Sequence, residues 1–325
     1  MRRNTALLTL AVTMSATVVV GVTAPSTPQE EVRAVSATEQ DSALTYWTPE
    51  RMAGAQEMGG VADQSEVAAV QLQAGEGLAW RGATRQRIGT TAPAPVPQAA
   101  AVKGNAWAKG GKVSRTVGKV YFTLPSGDYT CTATSVDSAN KSTVVTAGHC
   151  VYQQGRYATK WVFVPGQTPT KEPYGRWTPV KMYPSKQWVA SGDINHDYAF
   201  VKLAPRKGRK LGNVVGSLPV SFTSQSRTPL TAFGYSGAAP YYGSRLVYCQ
   251  GGVVADTYGG SRAEGQACNM VAGASGGPRL TRFDGSAGAV AGVNSFTYSS
   301  GPREPMLWAS RFGPTARALH TQASR

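Results

Sequence analysis

Three histidines occur in the 325 residues, so the search for a general base is short. His149 lies in Val-Val-Thr-Ala-Gly-His-Cys-Val (144–151), where an apolar run passes into small residues and a cysteine follows the imidazole at once. Asp197 opens Asp-Tyr-Ala-Phe-Val-Lys-Leu (197–203), a strand pattern in which Ala199, Val201 and Leu203 share one face. A carboxylate at the mouth of such a strand is partly withdrawn from water and can hold a histidine's tautomer. Ser275 stands in Val-Ala-Gly-Ala-Ser-Gly-Gly-Pro (271–278), whose glycines let the backbone fold tightly enough to expose a hydroxyl and aim amides at one point. A base, an acid to orient it, a hydroxyl, and the amides of Gly273 and Ser275 as oxyanion donors make the set needed for acyl transfer through a serine ester.

Each residue has a rival reading. A lone histidine is more often structural than catalytic, and a loop of small residues is common without chemistry. Asp193 lies four residues before Asp197, among Ser, Gly and Asn, and reads as a solvated loop residue together with His196. Gly273 to Gly277 also satisfies the G-x-S-x-G pattern of an α/β-hydrolase elbow. Chain order opposes that reading: Asp284 follows the serine by only nine residues, the next histidine is His320, and Gly276, Gly277 and Pro278 oppose the helix an elbow requires.

From Val113 onward short runs of Val, Tyr, Phe, Trp and Thr alternate with Gly, Pro, Ser and Asn. The runs include Val117 to Leu124, Ser142 to Thr146, Tyr157 to Val164, Tyr198 to Leu203 and Ala289 to Phe296. Many short strands with turn signals between them predict an all-β barrel or sandwich. Gly313 and Pro314 form a helix start, with the helix running through Arg317 towards His320 on the outside of the barrels. Upstream, the run Ala92 to Pro97 (Ala-Pro-Ala-Pro-Val-Pro) reads as an extended linker. The stretch from Pro49 through Val70 to Leu78 has scattered helical patterning and reads either as a small folded pro-region or as disorder.

The N-terminus carries Arg2 and Arg3 ahead of an apolar run from Ala6 to Val22, the pattern of an export signal. Residues 1–34 are assigned to it, with cleavage between 24 and 37; an uncleaved anchor is the competing reading, and the run is at the short end of what spans a bilayer. Residues 35–104 form the pro-segment and linker, and residues 105–325 the main domain. The net charge is +15, and 25 of the 33 Lys/Arg but only 9 of the 18 Asp/Glu lie beyond residue 104. Such a surface favours anionic surroundings or polymers. Its densest cluster, Arg206, Lys207, Arg209 and Lys210, lacks interleaved aromatics, so no specific nucleic-acid binding is expected. Four cysteines in an exported chain can pair in three ways. Cys131 and Cys150, and Cys249 and Cys268, are each 19 apart, which favours two local loops; no C-x-x-C spacing points to a metal, and none is expected.

Taken together, Thr-Ala-Gly-His-Cys, Asp-Tyr-Ala-Phe and Gly-Ala-Ser-Gly-Gly-Pro, in the order His, Asp, Ser, resemble the trypsin/chymotrypsin-like peptidases. The likeness is strongest to secreted bacterial members related to the glutamyl endopeptidases, over about residues 111 to 325. The resemblance implies two packed six-stranded antiparallel β-barrels with a short C-terminal helix. It places His149 and Asp197 in the first barrel and Ser275 in the second, bridges Cys131 to Cys150, and implies catalysis without metal or cofactor. Protein or peptide substrates and a monomeric enzyme follow from the same likeness. A catalytically silent barrel acting as an extracellular binding protein is the competing reading.

The resemblance also suggests where specificity is set. Ser295, in Gly-Val-Asn-Ser-Phe-Thr (292–297), matches the strand that lines the primary pocket and pairs with substrate backbone. Asn269 occupies the position, six before the serine, where enzymes cutting after Lys or Arg carry an acid. Asn294 stands where glutamyl endopeptidases typically place a histidine. Asn269, Met270, Asn294, Ser295 and Thr297 therefore predict an uncharged pocket for medium-sized side chains. Ala274 precedes the serine where animal digestive enzymes carry an Asp that receives a new N-terminus. Without that carboxylate, a terminus at Thr116 would be buried unpaired, so Thr116 to Leu124 reads as the first strand, with processing between Arg85 and Ala108.

Overall fold

The computed structural model describes residues 32–62, 104–223, 229–298 and 305–325. The signal run Ala6–Val22 and the linker run Ala92–Pro97 lie outside them.

Six antiparallel strands wind into the first barrel: Val117–Leu124, Gly127–Val136, Thr143–Thr146, Thr159–Pro165, Pro179–Pro184 and Ala199–Leu203. The hydrogen-bonded path runs from Pro179–Pro184 through Ala199–Leu203, Thr143–Thr146, Gly127–Val136 and Val117–Leu124 to Thr159–Pro165. A two-way backbone pairing of Phe163 with Trp177, at 2.8 and 2.9 Å, draws the last strand towards the start of the path. Period-2 alternation sends Val120, Phe122, Val144, Val201, Trp161 and Phe163 inward. The strand Val117–Leu124 is buried on its outer face too, because Val117 packs against the second barrel and Tyr121 under Trp47.

The second barrel uses Leu230–Gly234, Val247–Gly251, Glu264–Ala267, Pro278–Thr281, Ala289–Tyr298 and Met306–Arg311. Between the barrels lies an apolar layer that includes Val136, Val145, Phe200, Phe233, Leu280 and Val293. The helix Pro314–Ala323 starts at Gly313 as expected and covers this layer with Ala316 and Ala323. Asn105–Ala106 adds a short strand to Val247–Gly251, and Trp107 meets Phe233, Tyr248 and Phe283 edge-on with centroids 5.2 to 5.5 Å apart. The basic cluster is an exposed two-residue hairpin turn, with positive φ at Lys207 and Gly208. One expected boundary shifts: Thr116 closes a helical turn, Val113–Thr116, and the strand begins at Val117, because the Thr116 amide and hydroxyl both bond back to Lys112 O.

The stretch ahead of the linker is folded where the structure describes it. Helix Ala37–Tyr46 begins with a capping box of Ser36 and Glu39, and Thr48 caps helix Pro49–Gly54 with Pro at its first position. Arg33–Ala34 pairs with Met182 and Lys181 of the first barrel. Trp47 is 1% exposed, packs on Tyr121 with centroids 5.4 Å apart, and donates from Nε1 to Lys160 O at 2.5 Å. Tyr46 donates to Asp128, and Arg51 reaches the same carboxylate at 3.3 Å.

Candidate active site

His149 rides on a tight 3-10 turn, Gly148–Cys150, where the strand Thr143–Thr146 ends. The disulfide Cys131–Cys150 ties that turn to the neighbouring strand Gly127–Val136. Gly148 leaves room for a close approach: a Cβ there would lie 2.8 Å from Trp188 Cδ1 and 3.0 Å from Asp197 Oδ1. Asp197 follows the 3-10 turn Ile194–His196 and is 1% exposed. Three donors hold its carboxylate: the His149 amide on Oδ1 at 2.8 Å, His149 Nδ1 on Oδ2 at 2.8 Å, and Ser295 Oγ on Oδ2 at 2.5 Å. A proton fixed on Nδ1 leaves Nε2 as the basic nitrogen. Nε2 is buried with no hydrogen-bond partner among the described residues.

The Ser275 loop is set by two left-handed glycines, Gly273 (φ +86°) and Gly276 (φ +80°). A side chain at Gly276 would press on Thr146 Oγ1 and Thr132 O. Thr132, next to the disulfide, straps the loop to the first barrel. Its amide donates to Ser275 O and its hydroxyl to Gly273 O, both at 2.8 Å, while the hydroxyl accepts from the Tyr235 amide at 3.0 Å. From the other side Asn294 Nδ2 donates to Ala274 O at 3.1 Å and Phe233 O at 2.9 Å. The Gly273 amide donates to Met58 O at 2.7 Å.

Two pocket residues are placed otherwise than the sequence suggests. Asn294 is fully buried: Arg279 Nε donates to its Oδ1 at 2.8 Å, and its amide is occupied as above. It belongs to the wall behind the nucleophile loop because the strand's alternation turns it away from the cleft. Met270 is 1% exposed and packs with the Cys249–Cys268 bridge, Ala274 and Leu307. Ser295, on the same strand, turns its hydroxyl onto Asp197. Asn269 and Thr297 are partly exposed, and Asn269 Oδ1 accepts from the Gly104 amide at 2.7 Å. Asp193 is also a correction. It is 5% exposed rather than solvated, pairs with His196 Nδ1 at 2.8 Å, and accepts from the Asn195 amide and side chain. Burial works to raise its pKa, but these bonds outweigh burial and hold it below the ordinary 3.8.

Sequence reasoning missed Thr132, the role of Ser295 towards Asp197, and Arg279. Arg279 is 1% exposed, donates to Asn294, Gln266 Oε1 (3.1 Å) and Leu307 O (2.6 Å), and burial draws its pKa down to about 10 against the opposing pull of Glu264. Among the described residues, one trio of potential metal donors is close, Cys131, His149 and Cys150, within 4.8 Å of one another. Both sulfurs are consumed in the disulfide, so the trio lacks thiolate ligands and does not fit a metal.

Two packed β-barrels, a buried His149–Asp197 pair on a disulfide-tied turn and a glycine-bounded serine loop define the chymotrypsin-like class. Residues 104–313 match the trypsin family, and the chain belongs to it. It is similar to the thermostable serine protease AL20 from an extremophilic microorganism: 35% identity, TM-score 0.61, 66% of this chain and 98% of that one. Protease Anisep from Arthrobacter nicotinovorans is similar at 36% identity and TM-score 0.61, over 65% of this chain and 95% of that one. Among curated proteins, 88 residues (27% of this chain) are 40% identical to an extracellular metalloprotease of Bacillus subtilis, and 99 residues (29%) are 35% identical to a glutamyl endopeptidase of Bacillus licheniformis. The matched stretches span 27% and 30% of those two relatives.

Proposed function

We propose that the protein is a secreted serine endopeptidase in which Ser275 is the nucleophile, His149 the general base and Asp197 the group that orients it. Ser275 Oγ attacks the scissile carbonyl and passes its proton to His149 Nε2. The amides of Gly273 and Ser275 receive the developing oxyanion, and His149 returns the proton to the departing amine, leaving an acyl-enzyme. Water, deprotonated by the same nitrogen, then releases the acid. The observation that carries this reading is a buried His149 whose Nδ1 is held by Asp197 while Nε2 stays unpartnered, on a turn whose Cys150 Sγ lies 3.9 Å from Ser275 O.

Residues 1–34 are proposed as the export signal and 35–104 as the pro-segment and linker, with the peptidase from 105. The cleavage point is proposed between residues 24 and 37. Two disulfides suit an oxidising destination. Proteins or peptides are the substrates, the enzyme acts as a monomer, and the basic face favours anionic surroundings. Asn269 and Thr297 are the polar groups proposed for an uncharged specificity pocket. A fluorescent phosphonate should label the purified enzyme at Ser275, casein should be degraded, and Ser275→Ala should abolish both. Labelling that persists in Ser275→Ala would refute the assignment, and a wild type inert to both would favour the silent binding protein.

A further inference from the structure

We propose that residues Gln56–Ala62 plug the substrate cleft of the unprocessed chain, running in the direction opposite to a substrate, so that the segment is held there without being cut. The inference rests on the serine-peptidase reading above. Gln56 and Glu57 pair in parallel with Tyr129 and Thr130 of the first barrel, and the Met58 amide donates to Thr130 O at 2.9 Å. Met58 O then takes the Gly273 amide, one of the two proposed oxyanion donors. Beyond it Gly60, Val61 and Ala62 pair in parallel with Phe296, Thr297 and Tyr298, on the strand proposed to bind substrate backbone. The segment thus touches both barrels and the oxyanion donor in succession.

Polarity separates a plug from a substrate. A specificity pocket reads the residue on the N-terminal side of the cut, so a substrate lays its acyl half along the strand that carries Ser295. Here the half N-terminal to the Met58 carbonyl lies along Gly127–Val136, and the C-terminal half lies along Ala289–Tyr298. The nitrogen that would have to leave, that of Gly59, is on the side where a substrate keeps its acyl group. Acyl transfer needs attacking and leaving atoms aligned as well as close. The reversed chain offers a carbonyl in place without that alignment.

The fit is specific in sequence. A Cβ at Gly59 would lie 2.9 Å from Ala272 Cβ, and one at Gly60 would lie 2.5 Å from Ser295 O and 3.0 Å from Phe296 Cβ. Glu57 and Lys119 converge on one spot, since a Cβ at Gly243 would meet Glu57 Oε1 at 2.7 Å and Lys119 Nζ at 3.2 Å. The plug continues from the two docked helices, whose Trp47 and Arg51 contacts tie it to the first barrel. A cut beyond Ala62 therefore leaves it in place until the docked segment departs.

The test labels the secreted full-length chain briefly with a fluorescent phosphonate and resolves intact and processed bands by size. The wild-type intact band should label about tenfold or more slowly than the processed band, in proportion to the unplugged fraction. In Gly60→Val the intact band should approach the processed rate, and Glu57→Gln should shift it the same way by a smaller factor. Mature enzyme released from each variant has the wild-type sequence, so its normal labelling reports that the precursor folded. A wild-type intact band that labels as fast as the processed one would overturn the plug. So would intact bands of both variants that stay slow while their processed bands react. A Ser275-dependent cut between Met58 and Gly59, found by N-terminal mapping, would overturn the reversed polarity. Absence of labelling in every band would instead remove the serine nucleophile, and the plug with it.

Discussion

Asn294 separates two accounts of the strand beside the nucleophile. If it lines the specificity pocket, Asn294→Ala changes substrate preference and leaves stability nearly unchanged. The structure points to the opposite result. The substitution removes the acceptor 2.8 Å from Arg279 Nε, a bond to a charged donor worth about 1.5–3 kcal/mol. Arg279 keeps Gln266 Oε1 and Leu307 O, so the larger penalty of an abandoned buried charge does not apply in full. The donations to Phe233 O and Ala274 O are also lost, at about 0.5–1 kcal/mol each, because Ala274 O keeps the Gly277 amide. The total is about 2.5–5 kcal/mol, or a fall in Tm of roughly 5–20 °C for a domain of this size. Scanning calorimetry on the mature protein, in a Ser275→Ala background to prevent self-digestion, measures it. Asn294→Asp keeps an acceptor for Arg279 but sets a carboxylate oxygen against the Phe233 and Ala274 carbonyls, so its Tm should fall as well. In the active background kcat should drop for Asn294→Ala, because Ala274 adjoins both oxyanion amides, while the cleavage profile of a peptide library stays the same. A Tm within about 2 °C of wild type, a change of under roughly 1 kcal/mol, with an altered library profile would refute this reasoning.

Ser295→Ala deletes the 2.5 Å bond to Asp197 and should lower kcat by about ten- to a hundredfold with little change in KM, read by steady-state kinetics on a peptide ester. Asp193 has a folded pKa below its ordinary 3.8, so it contributes stability above that value and loses it as pH falls through the folded pKa. Asp193→Asn should accordingly lower stability at neutral pH and flatten its decline below pH 3.8, checked by urea titrations across the acid range. N-terminal sequencing of active secreted enzyme should find a start between Arg85 and Ala108. A start at Thr116 would contradict the burial of its amide and hydroxyl against Lys112.

The proposed nucleophile, base and acid could be named from sequence because each chemistry demands a local residue pattern. A tight, amide-exposing turn needs Gly on both sides of Ser275. A rigid histidine turn benefits from a crosslink beside His149, and an orienting acid fits the mouth of an apolar strand at Asp197. Strand and helix positions followed from the same short-range logic, a run of strand-forming residues before a turn in Val117–Leu124 and Gly-Pro at 313–314. Tertiary structure alone decided everything that depends on which way a side chain turns once two barrels meet. It sent Asn294 and Met270 inward and Ser295 onto Asp197, buried Arg279 with partners from other strands, and buried Asp193 with its local partners Asn195 and His196. It also decided where the pro-segment goes. The residues of 32–62 have weak patterning of their own, since helix Ala37–Tyr46 buries only Ala43. Their order comes from barrel surfaces more than a hundred residues away in sequence, such as Lys160 O beneath Trp47. Local sequence carries no record of contacts formed at that separation, so the pairing of Gly60–Ala62 with Phe296–Tyr298 appears only when the chain is folded.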